Sequence, residues 1–108
     1  MKSIIQEKKQ CLLCGNAFKN GWNRLEEHHC FGAANRKWSE KYGLKVWLCA
    51  SSCHRNGAKS AHRNRETDLY IKRLAQKKFE ETHTRDEFMA IFGKNYIWEE
   101  AEDETTDI

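Results

Sequence analysis

Proline is absent from the 108 residues, and glycine occurs only six times. No proline-rich or glycine-rich linker therefore divides the chain, and the length suits one domain. No apolar run approaches the roughly 18 residues that a membrane-spanning helix needs. The opening "MKSIIQEKKQ" also lacks the apolar centre of a secretory leader. Internal repeats are missing, which excludes a solenoid. These absences point to a cytoplasmic protein with no membrane role. Apolar residues make up 39% of the chain and mean hydropathy is −0.91, so the expected core is thin. A bound metal would help to staple such a chain.

The net charge of +3 hides an uneven distribution. The last ten residues, "EEAEDETTDI", hold six acids and no base; residues 1–98 carry 19 bases against 10 acids. A basic body suits a polyanionic partner. Residues 1–98 are read as one domain and residues 99–108 as a disordered acidic tail.

The periodicities suggest an α+β chain. "SII" near the start reads as a short strand, and "RLEEHHCF" could be another. "GAANRKWSEKYG" lacks a period and reads as a loop bounded by Gly32 and Gly43. "LKVWLC" alternates and is the clearest strand. "ASSCHRNGAKSA" reads as a loop or short turn. From about His62 to Thr82 the pattern turns helical, with Leu69, Leu74 and Phe79 on the apolar side. "TRDE" at 84–87 is a capping box opening a second helix, and Gly93 is its stop. The aromatics of "NYIW" are expected to pack back onto the body.

Five cysteines, an odd number, without a secretion signal argue against a disulfide framework. Cys11 and Cys14 form C-x2-C; Cys49 and Cys53 form C-x3-C after a gap of 34 residues. Four thiolates at this spacing suit a structural Zn²⁺ ion, which takes tetrahedral sulfur ligands at about 2.3 Å. His54, beside Cys53, is the substitute if one sulfur is not a ligand. Cys30 is left over and reads as a small buried hydrophobe.

If one ion joins the two cysteine pairs, it pins the end of "RLEEHHC" near the end of "LKVWLC". Four of the five histidines, His28, His29, His54 and His62, then gather in one region. "LEEHHCFGAANRKWSEKYGLKVWLC…CHRNGAKSAH" resembles the HNH, or ββα-metal, nuclease motif. With the later "RDEFMAIFGKNY", residues 10–97 are similar to small HNH-like proteins of phages and prophages. The fold this implies is a ββα-metal core, stapled by a zinc knuckle and followed by C-terminal helices. The activity it implies is metal-dependent hydrolysis of DNA phosphodiester bonds.

The resemblance makes His28 a ligand of a divalent catalytic ion, His62 a second ligand, and His54 a third ligand or a supporting residue. His29 becomes the general base, a role that suits an imidazole whose ordinary pKa of about 6.5 lies near working pH. The ion implied is Mg²⁺ or Mn²⁺, with other divalent ions tolerated by a histidine-rich site. The motif carries an asparagine before its second strand to orient the base. "YGL" stands there in this chain, and Asn35 is the nearest candidate. The second cysteine pair is one residue longer than the usual C-x2-C. His54 and His62 lie eight positions apart, against about four in the family. Asn64 and Glu66, near His62, read as a helix cap and a first-turn acid.

Arg36, Lys37, Lys41, Lys45, Arg55, Lys59, Arg63 and Arg65 bracket the histidines and are the expected phosphate contacts. Lys72, Arg73, Lys77 and Lys78 read equally as a solvated helix face or as further DNA contacts. No base-reading pattern is visible. DNA is the expected partner, and a double-strand cut by so small a site would call for a homodimer. A competing class is a non-catalytic zinc-bound module that binds DNA or blocks a host defence complex, with a host or phage protein as partner. A third is a structural zinc protein of a phage assembly.

Overall fold

The computed structural model describes residues 2–15, 25–55, 57 and 60–97, and of 51, 52 and 55 the backbone only. The acidic tail, Lys59 and the side chain of Arg55 lie outside that description.

Two short strands, β1 (Leu25–His29) and β2 (Lys45–Cys49), form an antiparallel pair. Leu25 lies opposite Cys49, His28 opposite Val46, and His29 opposite Lys45. Successive side chains on a strand point to opposite faces. Glu26, His28, Val46 and Leu48 therefore share one face, and Glu27, His29, Lys45 and Trp47 share the other. Val46 and Leu48 are fully buried, which makes the first of these the core face. The strand expected at "SII" does not form. That segment instead lies along β2: the Ile4 amide donates to the Gly43 carbonyl, and the Trp47 amide donates to the Gln6 side chain.

The segment read as a loop is helical. A 3-10 turn, Ala33–Asn35, runs into α1 (Arg36–Tyr42). Trp38 and Tyr42 are the only apolar pair in these seven residues, too little to mark a helix in the sequence, and an isolated helix of that length is not stable. Tertiary anchors hold it. The buried Ser39 hydroxyl donates to the Phe31 carbonyl at 2.8 Å and accepts from the Phe31 amide at 3.0 Å. Gly43 closes the helix at φ +70°. A Cβ there would run into the Lys2 carbonyl and meet Ile4 Cγ2 at 3.0 Å. Gly43→Ala is expected to cost about 1–3 kcal/mol, read as a lowered midpoint in denaturant, because both the backbone and the contact are strained. An unchanged midpoint would rule out this packing of the N-terminal segment.

After β2 a wide π-type turn, Ala50–Arg55, leads towards α2 (Arg65–Phe79). Asn64 caps α2 by accepting from the Thr67 amide, and Glu66 lies in its first turn. Ile71, Ala75 and Phe79, four residues apart, form the buried edge. Leu69 and Leu74 are half-buried and Tyr70 is exposed, so the core-facing edge is rotated from the expected one. Gln76 is fully buried because its amide is satisfied: it donates to Asn95 and Glu80 and accepts from the Tyr96 amide. This ties the segment after α3 to α2 and lays Tyr96 against Phe31.

The capping box forms as the sequence indicates. Thr84 and Glu87 cap α3 (Arg85–Phe92), and Gly93 ends it at φ +82°. Phe31, Phe79, Phe88 and Phe92 meet with ring centroids 4.5–6.1 Å apart. Such pairs add about 0.5–1.5 kcal/mol each beyond area burial. They fix α2 and α3 against the chain leaving β1. Among the described residues, no helix is long and apolar enough to cross a membrane.

Candidate metal centre and histidine site

The Cys11–Cys14 segment turns back on itself at Gly15, which has φ +78° and donates its amide to the Cys11 carbonyl. The Leu12 amide bonds the Trp47 carbonyl, so this knuckle lies against β2. Cys49 ends β2, and Cys53 follows in the π-type turn. The four ligand sulfurs lie within 4.8 Å of one another. All are free thiols, with Cys14 Sγ 3.4 Å from Cys49 Sγ. A disulfide would need about 2.05 Å. This is a group of four cysteines that could hold a metal such as zinc. Burial opposes ionisation of Cys11, but the Cys14, Cys49 and Leu13 amides outweigh it and bring its pKa down to about 7. A thiolate is the metal-binding form. Cys53 is pushed up, first by burial and then by its neighbours Cys11 and Cys14. Cys30 is 1% exposed and its thiol is raised by burial, which makes it a core residue.

The histidine doublet is split by the strand. His28 lies on the core face, 6% exposed, and meets His54 and His62 edge-on at ring distances of 5.1 and 5.5 Å. His54 comes from the π-type turn. Backbone bonds from Ala61 to Cys53 and from His62 to His54 bring the two later histidines side by side. The eight-position gap is thus closed by a chain reversal. His54 Nδ1 lies 2.9 Å from Glu26 Oε1. A carboxylate only accepts, so Nδ1 carries the hydrogen and Nε2 is the bare nitrogen. That Nε2 lies 3.1 Å from His62 Nε2. Two ligands of one ion at about 2.1 Å adopt such a spacing.

His28 Nε2 is buried with no hydrogen-bond partner. Burial, and then the neighbouring His54 and His62, lower the His28 pKa to about 3, so at neutral pH the ring is uncharged and its lone pair is available. One ligand atom from each of the three rings lies within 4.8 Å of the others. An orphaned buried nitrogen facing two more imidazoles fits a divalent cation, whose bonds would satisfy it.

His29 points the other way. Its Nε2 lies 3.0 Å from Glu40 Oε1 on α1. Asn35 does not reach it; the Asn35 amide donates to the Phe92 carbonyl at 3.4 Å. Lys45, expected among the phosphate contacts, is 5% exposed and pairs with Glu40 at 3.1 Å and Glu27 at 3.3 Å. These carboxylates outweigh the burial penalty and hold its pKa above the ordinary lysine value. The fifth histidine, His83, stacks on Phe79 at 4.2 Å, away from the others.

A cleft of about 820 Å³ opens over both histidines of the doublet, with His54, His62, Arg36 and Lys72 also in its wall. Lys72 is paired with Asp68 at 2.8 Å. Lys37 and Lys41 are exposed beside Trp38, and Arg63 and Arg65 are exposed beyond the cleft wall. Sequence reasoning missed Glu26 and Glu40. Glu26 was legible: E-x-H on a strand puts both residues on one face. Glu40 had no signal, because its helix is set by tertiary contacts. No protein family, curated protein or solved structure matches the chain.

Proposed function

We propose that the protein is a metal-dependent endonuclease of the HNH, or ββα-metal, type that hydrolyses DNA phosphodiester bonds. The observation that carries this reading is the convergence of His28, His54 and His62 beside His29 in one cleft. The two antiparallel strands followed by α2, with α1 in the connection between the strands and Cys49 and Cys53 at the junction before α2, support that reading. His28, His54 and His62 would hold the cation, with Glu26 orienting His54. A bound Mg²⁺, Mn²⁺ or related divalent ion supplies charge neutralisation at the phosphate and at the departing 3′ oxygen. His29 takes a proton from the attacking water. Arg36, exposed in the cleft wall, would contact the phosphate backbone without reading sequence.

The test is nicking of supercoiled plasmid with Mg²⁺ or Mn²⁺. The wild type is expected to cut and to stop on chelation. His29→Ala is expected to cut about 10²–10⁴-fold more slowly, with metal content and circular dichroism unchanged. No metal-dependent cleavage of duplex, single-stranded or branched DNA would overturn the reading and leave a metal-bound binding module in its place.

A further inference from the structure

The usual orienting asparagine has no counterpart at His29, yet the ring does not stand alone. Glu40 Oε1 lies 3.0 Å from His29 Nε2, and Glu40 Oε2 lies 3.1 Å from Lys45 Nζ. Lys45 Nζ is in turn 3.3 Å from Glu27 Oε2. The His29 side chain is 13% exposed, so the first contact is largely shielded on the histidine side. The pleat explains the grouping. Glu27 and His29 alternate onto one face of β1, Lys45 stands opposite His29 on β2, and α1 brings Glu40 over both.

We propose that Glu40, anchored by Lys45, is a positioning residue that fixes His29 in its Nε2–H tautomer and so makes Nδ1 the atom that takes the proton. A carboxylate oxygen only accepts hydrogen bonds, so the nitrogen facing it carries the hydrogen. In a neutral imidazole the other nitrogen is then bare. The Lys45 ammonium, buried against the second oxygen, stops the carboxylate from rotating away. In the step this serves, Nδ1 accepts a proton from water as the water oxygen bonds to phosphorus. The bond from phosphorus to the 3′ oxygen breaks, and that oxygen is protonated from solvent. His29 then returns its proton to solvent. Glu40 keeps its charge throughout and stabilises the transient imidazolium through Nε2–H. The catalytic role of Nδ1 rests on the nuclease reading; the tautomer does not.

The experiment is nitrogen-resolved proton NMR of the ¹⁵N-labelled full chain, with plasmid cleavage measured in parallel. In the wild type a hydrogen-bonded proton, slow to exchange with solvent, is expected on His29 Nε2. Glu40→Ala should lose that protected proton and lower kcat about 10–100-fold with little change in KM. Glu40→Gln keeps an acceptor oxygen without the charge; it should restore the Nε2 proton and only part of the rate. Circular dichroism and metal content serve as the check that each variant folds. A wild-type proton on Nδ1, or an Nε2 proton indifferent to Glu40→Ala, overturns the assignment even if DNA is cut. A loss confined to KM overturns the positioning role. If the wild type cuts nothing yet shows the protected Nε2 proton, the nuclease reading fails and the tautomer stands.

Discussion

Cys11→Ser or Cys49→Ser is expected to abolish the folded state, and a strong chelator should do the same to the wild type until Zn²⁺ is returned. Both residues are 1% exposed and belong to the hydrophobic core. The four sulfurs converge from two segments, the Cys11–Cys14 knuckle and the β2–π-turn junction, which the Leu12 amide also joins through the Trp47 carbonyl. Structural zinc binds with about 10–16 kcal/mol in small domains, as much as or more than the roughly 5–15 kcal/mol by which a domain is stable. The core has little to set against that loss, since five of its fourteen buried apolar members are cysteine or alanine side chains. The measurement is zinc content by atomic emission together with far-ultraviolet circular dichroism. Undiminished zinc and signal in Cys11→Ser would remove the four-cysteine assignment. A retained fold with zinc at a lower stoichiometry would make the site an accessory to the core.

The second large effect is expected at His28, and it has opposite signs for stability and activity. His28→Leu should abolish metal-stimulated cleavage and leave the histidine site unable to take up Mn²⁺. Without added metal at that site, the variant should be as stable as the wild type or more so. The reason is the orphaned Nε2: a buried polar atom without a partner costs about 1–3 kcal/mol, and a leucine of similar volume removes that cost. A ligand bound only by the native state stabilises it by about 2.7 kcal/mol at a hundredfold excess over Kd. Added Mn²⁺ should therefore raise the wild-type melting temperature and not that of the variant. A variant that loses several kcal/mol, or that keeps the Mn²⁺ shift, would show that His28 is a packing residue and that the three rings do not share an ion.

Much of the local structure was legible because it depends on near neighbours. Thr84 and Glu87 satisfy each other across one helical turn, so "TRDE" announces α3 wherever the helix packs. The apolar alternation of "LKVWLC" marks a strand for a similar reason. The start of α2 is less clear, since the helical pattern begins before Asn64 makes its cap. What failed were the parts held by distant contacts. α1 offers only Trp38 and Tyr42 as an apolar pair and stands on Ser39 and Gly43, while in "SII" the Ile4 amide bonds the Gly43 carbonyl at the end of α1. Charge was misleading in the same way. Lys45 reads as a cation for phosphate until the fold closes two carboxylates over it.

By itself the sequence determined the cysteine frame, because ligand type and spacing are properties of the chain, but not the expected meeting of the end of "RLEEHHC" with the end of "LKVWLC": the antiparallel register sets Leu25 opposite Cys49 and His29 opposite Lys45. It also contained, in the period of a strand, the fact that His28 and His29 must face apart. Only the tertiary structure decided what each one faces. The chain reversal between His54 and His62 closes a three-ring cluster around the buried His28 nitrogen. The helix that carries Glu40 supplies His29 with a carboxylate where the sequence offered only Asn35. Both outcomes rest on long-range packing and buried hydrogen bonds, whose strength depends on which surfaces meet, and a linear pattern does not specify that.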